Sequence, residues 1–250
     1  MMKHILILGG TGEARRLADR LAGTARVTLS LAGRTERPLA ALAEMRSGGF
    51  GGAAGLARFM VEAKVDVLVD ATHPFAARIS HNAELVARQA GLPLLVVERP
   101  AWEKADGDRW IEAADMAHAA ASIGPAPRRV LLAVGRQELA PFAAHPQHAY
   151  LIRSVDPAEL PPGLAHARAI LARGPFDEAQ ERALLLREGI EMVVAKNSGG
   201  DATYGKIAAA RALALPVVMV RRPRPRPPGA VAGVEEALAH LAALPAERGE

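Results

Sequence analysis

The residues best suited to chemistry stand at junctions where an apolar run gives way to glycine and polar residues. Ile5-Leu6-Ile7-Leu8-Gly9-Gly10-Thr11-Gly12-Glu13-Ala14-Arg15 joins a buried strand to a helix through a glycine-rich turn. Such a turn lets the backbone approach a pyrophosphate, and the N–H groups and dipole of the helix N-terminus favour its negative charge. The spacing Gly9, Gly10, Gly12, with Ala14 in the packing position, departs from G-x-G-x-x-G, so a tight turn without ligand stays open on the motif alone. The second strand ends at Ser30-Leu31-Ala32-Gly33-Arg34-Thr35, where an NAD site places an acid for the ribose 2′-hydroxyl. With Ser30 and Arg34 there instead, a 2′-phosphate is expected, and NADPH over NADH.

Two further junctions carry donors. Val65-Asp66-Val67-Leu68-Val69-Asp70 delivers Ala71-Thr72-His73-Pro74-Phe75-Ala76 to the C-terminal sheet edge, where open α/β sheets bind ligands. Thr72 is counted with the cofactor residues, although capping and turn formation suit it and Asp70 equally. His73 can hydrogen-bond a carboxylate or supply a proton. Met192-Val193-Val194-Ala195 runs into Lys196-Asn197-Ser198-Gly199-Gly200-Asp201. Residues 200–206 satisfy G-x-x-x-x-G-K, but Ile207 replaces the Ser or Thr that binds magnesium, which excludes a P-loop NTPase. An anion site with donors from Lys196, Asn197, Ser198 and Lys206 survives.

Other chemistries lack their residues. Neither Tyr150 nor Tyr204 has lysine at the fourth following position, and there is no G-x-S-x-G elbow and no H-E-x-x-H, so no metal is expected. The absence of cysteine excludes disulfides, thiolate metal sites and cysteine nucleophiles.

The elements that must position these residues alternate. Short β-rich runs at 4–8, 26–31, 66–70, 93–98, 129–134, 149–153, 168–172, 191–195 and 216–220 predict strands. Segments of helical period at 12–23, 52–64, 76–90, 115–123, 136–144, 177–188, 203–214 and 233–244 predict helices. This is the α/β pattern of a mostly parallel sheet, in two Rossmann-like halves with a crevice between them. Gly91-Leu92-Pro93 and Ala214-Leu215-Pro216 each close a helix and open a strand, and Arg99-Pro100 and Arg222-Pro223 extend the echo. The expected division is 1–100 as an NADPH-binding half, 101–127 as a connector, and 128–250 as a second half with a C-terminal helix.

Half of the 250 residues are apolar and 23% are charged, which predicts a globular chain with a core of its own. No apolar run reaches the roughly 18–20 residues that span a bilayer, and no signal-peptide pattern opens the chain, so the expectation is a cytoplasmic protein without membrane partners. The net charge of +4 rests mainly on arginine, with only nine aromatic residues. That favours an anionic small molecule over nucleic acid. The densest basic run, Arg221-Arg222-Pro223-Arg224-Pro225-Arg226-Pro227-Pro228, reads as an extended solvated linker or as a contact for that anion.

In order, Leu8-Gly9-Gly10-Thr11-Gly12-Glu13-Ala14-Arg15, Asp70-Ala71-Thr72-His73-Pro74-Phe75-Ala76, Glu98-Arg99-Pro100 and Lys196-Asn197-Ser198-Gly199-Gly200 resemble the precorrin-6A reductase family of cobalamin biosynthesis over essentially the whole chain. The resemblance implies NADPH-dependent reduction of one double bond of precorrin-6A to give precorrin-6B, or the same step on the cobalt-containing ring. It implies a polycarboxylate tetrapyrrole substrate between the halves. Gly9, Gly10, Thr11, Gly12, Glu13, Ala14, Ser30, Arg34 and Thr72 would then hold the cofactor. His73, Lys196, Asn197, Ser198, Gly199, Gly200 and Asp201 would hold the substrate, with His73 the one candidate for a catalytic group. A Rossmann-like protein that senses NADPH or an anionic metabolite without turnover is the alternative.

Overall fold

The computed structural model describes residues 2–33, 39–157, 160–164 and 167–244; the expected 2′-phosphate residue Arg34 lies outside the described residues. The chain divides into two compact units, Met1–Pro100 with Arg224–Glu250, and Ala101–Pro223. The first contains β1 (His4–Leu8), α1 (Gly12–Leu21), β2 (Arg26–Leu31), β3 (Glu44–Ser47), α2 (Ala53–Glu62), β4 (Val67–Asp70), α3 (Ala77–Ala90) and β5 (Leu94–Val96). The second contains β6 (Arg109–Ala113), α4 (Met116–Ala121), β7 (Arg129–Ala133), β8 (Ala149–Ser154), β9 (Arg168–Leu171), α5 (Glu178–Arg187), β10 (Met192–Lys196), α6 (Gly205–Ala212) and β11 (Pro216–Val220). The chain then returns to the first unit with α7 (Val234–Ala243).

Each unit is built on one parallel sheet, ordered β3-β2-β1-β4-β5 in the first and β6-β11-β10-β7-β8-β9 in the second. Read from β9, the second sheet repeats the plan of the first, with β7 to β11 in the places of β1 to β5 and β6 added at the edge. The echo in the sequence marks equivalent positions. Gly91 (φ 62°) ends α3 before β5, and Ala214 (φ 51°) takes the same left-handed conformation before β11.

Alternation along the strands explains why β1 reads as an unbroken apolar run. Ile5 and Ile7 face Leu17, Ala18 and Leu21 of α1 and Ala237 and Leu241 of α7. Leu6 and Leu8 face Leu56 and Met60 of α2 and Ala83 and Val86 of α3. The helix α1 forms because Ala14, Leu17, Ala18 and Leu21 recur on one face, Thr11 caps its start, and Glu13 and Arg20 complement its dipole. In the second unit Leu131, Val193, Ala195 and Val217 pack against Leu184 and Leu185 of α5 and Ile207 and Ala210 of α6.

The elements that differ from expectation lack a buried apolar run. In β3 no residue is buried, and in β6 only Ala113 is. Residues 136–144 form two 3-10 turns, Arg136–Glu138 and Ala140–Ala144, because Pro141 lacks the N–H that a continuous helix needs. The C-terminal segment belongs to the first unit instead of the second: Val231 N donates to Val96 O at 2.9 Å and Glu98 N to Val231 O at 2.9 Å, and Ala237 and Leu241 complete its core. Residues 101–127 belong to the second unit, where β6 pairs with β11. Among the described residues no helix is long and apolar enough to cross a membrane.

His148, 1% exposed in the second unit, predicts a pH dependence of stability. Burial lowers its pKa below the ordinary value, only partly offset by the nearby Gly124 backbone, and His145 and Arg128 lower it further; neither ring nitrogen has a hydrogen-bond partner among the described residues. The unfolded chain therefore binds this proton more readily, and the stability from neutral His148 is full above about pH 6.5 and is lost as pH falls below it. The urea midpoint should drop between about pH 7.5 and pH 5.5, and drop less in His148→Phe. Equal pH slopes in the two proteins would assign the effect to another group.

Candidate functional site

In the first sheet β1 and β4 are neighbours, yet their connections leave in opposite directions, to β2 and to β5. Their C-terminal ends therefore flank a topological switch point, where the two departing loops leave a crevice. Gly9 N donates to Ser30 O at 2.9 Å. A side chain at Gly9 would meet Leu29 Cδ1 at 2.7 Å, so this glycine serves packing. Gly10 (φ 116°) and Gly12 differ: a Cβ at Gly10 would have no heavy atom within 4 Å, and one at Gly12 only Arg16 Nη1 at 3.7 Å. Neither position is enclosed by the protein's own atoms.

Thr11 closes the crevice floor. Its hydroxyl accepts from Ala14 N at 3.1 Å, capping α1, and donates to Ala71 O at 2.7 Å, binding the β1 turn to the β4 loop. Glu13, in the first turn of α1, accepts from Arg99 at 2.9 Å and Arg16 at 3.5 Å, so its charge is matched where an anion would approach. Ala14 is fully buried.

At the end of β4, buried Asp70 accepts from Thr72 N at 3.1 Å and Thr72 Oγ1 at 2.7 Å. Thr72 is thereby spent on the turn. Arg224 faces this carboxylate at 3.8 Å, together with Glu98 at 3.8 Å and Glu84 at 3.0 Å. Three of the four arginines of the proline-rich run are thus tied down: besides Arg224, Arg226 donates to Glu98 O at 2.8 Å, and Arg222, in the second unit, to Asn197 O at 3.0 Å. His73 is half-buried, and its Nδ1 accepts from Phe75 N at 3.3 Å. With Nδ1 as acceptor, the neutral ring carries its proton on Nε2, as a donor.

Beside β2, the Ser30 hydroxyl accepts from Arg46 Nη1 at 3.1 Å. The sequence reading missed Arg46, because it lies in a strand without an apolar run; the following Gly48-Gly49-Phe50-Gly51-Gly52 was the available signal.

The second candidate cluster lies at the end of β10, in the other unit. Lys196 Nζ donates to Glu138 Oε2 at 2.8 Å, and the same oxygen accepts from Gly135 N at 2.9 Å. Gly135 follows β7, the counterpart of β1, so the seat equivalent to the open turn of the first unit is filled by the chain's own carboxylate. Asn197 is a clasp: Oδ1 accepts from Trp102 N and Nδ2 donates to Trp102 O, both at 2.8 Å. Gly199 and Gly200 have positive φ (68° and 74°), which turns the loop under Trp102, whose indole donates to Gly200 O at 2.9 Å. Ser198 is buried, and its carbonyl accepts from Arg222 at 3.2 Å. Asp201 is exposed at the start of a 3-10 turn. Lys206 is buried, donates to Thr203 O and lies 4.7 Å from the Trp102 ring, so it braces the loop from inside.

A family model described as Precorrin-6x reductase CbiJ/CobK matches residues 4–242. A precorrin-6A reductase of Sinorhizobium sp is 52% identical over 241 residues, covering 96% of this chain and 92% of that relative. A cobalt-precorrin-6A reductase of Synechocystis sp. is 32% identical over 184 residues, covering 68% of each chain. Among solved structures, CobK precorrin-6A reductase matches with a TM-score of 0.91 at 46% identity, over 96% of both chains.

The clasp predicts that Asn197→Ala strands two groups of the Trp102 backbone and costs about 1–3 kcal/mol. Hydrogen exchange at the Trp102 amide should accelerate, with the Trp102 emission shifted. Unchanged protection of that amide would show that Asn197 does not hold the loop.

Proposed function

The chain belongs to the precorrin-6x reductase family, and on that premise we propose that it uses NADPH to reduce one double bond of precorrin-6A, giving precorrin-6B in cobalamin biosynthesis. The observation that carries the cofactor assignment is the space left open over Gly10 and Gly12, at the N-terminus of a ten-residue helix and beside a β2 end without an acid. These residues fit a pyrophosphate. When bound, the nicotinamide supplies the hydride.

The chain's own groups bind and orient. The Gly10–Gly12 backbone receives the pyrophosphate, Thr11 fixes that turn against the β4 loop, and Arg99 neutralises Glu13 so that no free carboxylate opposes it. Ser30 at the end of β2 is the described residue of the 2′-phosphate pair, and Arg34 is its sequence-expected partner. His73 donates from Nε2 to a carboxylate of the macrocycle and so places the ring. Lys196 and Ser198 bind further carboxylates, the ammonium exchanging Glu138 for the substrate. Asn197 acts through its grip on Trp102. A relative named for the metal-free substrate is 52% identical and one named for the cobalt form 32%, which favours metal-free precorrin-6A.

The purified protein should bind NADPH at least about tenfold more tightly than NADH, a difference of about 1.4 kcal/mol, and should consume one NADPH per precorrin-6A reduced. Equal dissociation constants would refute the cofactor assignment. NADPH bound tightly but never oxidised in the presence of precorrin-6A would establish a sensor instead.

A further inference from the structure

We infer that Arg46 and the glycine-rich loop that follows β3 form a binding site for the monoester phosphate on the ribose of the dinucleotide, with Arg46 a residue that sets cofactor specificity. The inference rests on the NADPH reading and assigns part of that site to residues it did not use. Arg46 stands opposite Ser30 in the β2–β3 register. In a sheet ordered β3-β2-β1-β4-β5, that is the edge to which the ribose of a dinucleotide bound at β1 extends.

The guanidinium is held in one orientation. Nη1 donates to Ser30 Oγ at 3.1 Å and to Gly48 O at 2.7 Å, and Nη2 donates to Gly49 O at 3.0 Å. Its carbon lies 3.9 Å from the centroid of the Phe50 ring and 5.3 Å from that of Phe59. All five partners are neutral. Among the described residues no carboxylate pairs with Arg46, whereas Arg99 and Arg224 of the same unit each have one or more. The partners of this half-buried guanidinium are neutral, and two of its five N–H donors have no partner among the described residues.

The surroundings leave room for what that charge attracts. A Cβ at Gly48, Gly49, Gly51 or Gly52 would meet no heavy atom within 4 Å. The β2 end, Ser30-Leu31-Ala32-Gly33, carries no carboxylate to repel a phosphate. An arginine already locked in place loses little further freedom on binding, which suits it to a phosphate dianion.

Calorimetric titration with adenosine 2′,5′-bisphosphate and with 5′-AMP isolates the 2′-phosphate. The wild type should favour the bisphosphate by at least about tenfold. Arg46→Met, which keeps an apolar stem over Phe50, should lower that preference about tenfold, and Arg46→Lys should lower it less. Arg46→Gln removes the charge while keeping a donor for Ser30 and gives the same reading if the methionine variant does not fold. A wild type without preference would defeat the NADPH reading before any variant is made. A wild-type preference that survives in Arg46→Met or Arg46→Gln, or an equal loss of both ligands, would overturn the role of Arg46 alone.

Discussion

The Thr11 hydroxyl joins the two loops at the switch point of the first sheet, on which the proposed ligand site depends. It accepts from the start of α1 and donates to Ala71 O, so one oxygen caps a helix and joins the two loops that diverge from β1 and β4. A parallel sheet sends every strand's C-terminal end to the same edge, and the reversal of strand order there opens a crevice. Ala71 N also donates to Leu8 O at 2.9 Å, so the Thr11 hydroxyl extends the β1–β4 pairing by one contact into the loops. The cap alone is worth about 1 kcal/mol, and its loss would also leave the Ala71 carbonyl without that donor. The open space over Gly10 and Gly12 is held in shape by the oxygen between them.

Charge is organised around the same edge. Asp70 and Glu98 are 3% and 4% exposed, and a buried carboxylate costs several kcal/mol unless it is paired and hydrogen-bonded. Arg224 faces both, and Thr72 donates twice to Asp70. The prolines between the arginines fix φ and keep the segment out of a helix. Within a run that reads as a solvated connector, Arg222 is anchored at Asn197 and Ser198, and Arg224 at Asp70, Glu84 and Glu98. The duplicated plan has diverged at this point: Glu138 occupies the turn after β7, whereas a Cβ at Gly10 in the turn after β1 would meet no heavy atom within 4 Å.

Much of this was legible in the residues. The buried strands announced themselves as apolar runs, α1 by its period and its threonine cap, and the site loops by glycine beside polar donors. What stayed hidden followed from exposure and from tertiary contacts. β3 and β6 bury almost nothing, so Arg46 went unnoticed. Asn197 was identified as a polar donor at a strand end, but only the fold shows that both ends of its amide are taken by Trp102. The return of α7 to the first core depends on Ala237 and Leu241 meeting Leu17 and Leu21, a choice of partner that helical period does not encode.

We propose that the turn between β1 and α1 seats the pyrophosphate of the cofactor. The most direct measurement is the NADPH binding isotherm of Gly12→Val, with circular dichroism as the control for folding. The fold tolerates a side chain there, since the nearest atom to the added Cβ is 3.7 Å away. A native spectrum with NADPH affinity lowered by about tenfold or more, equal to about 1.4 kcal/mol, is the predicted result. A native spectrum with wild-type affinity would contradict the account and place the pyrophosphate elsewhere.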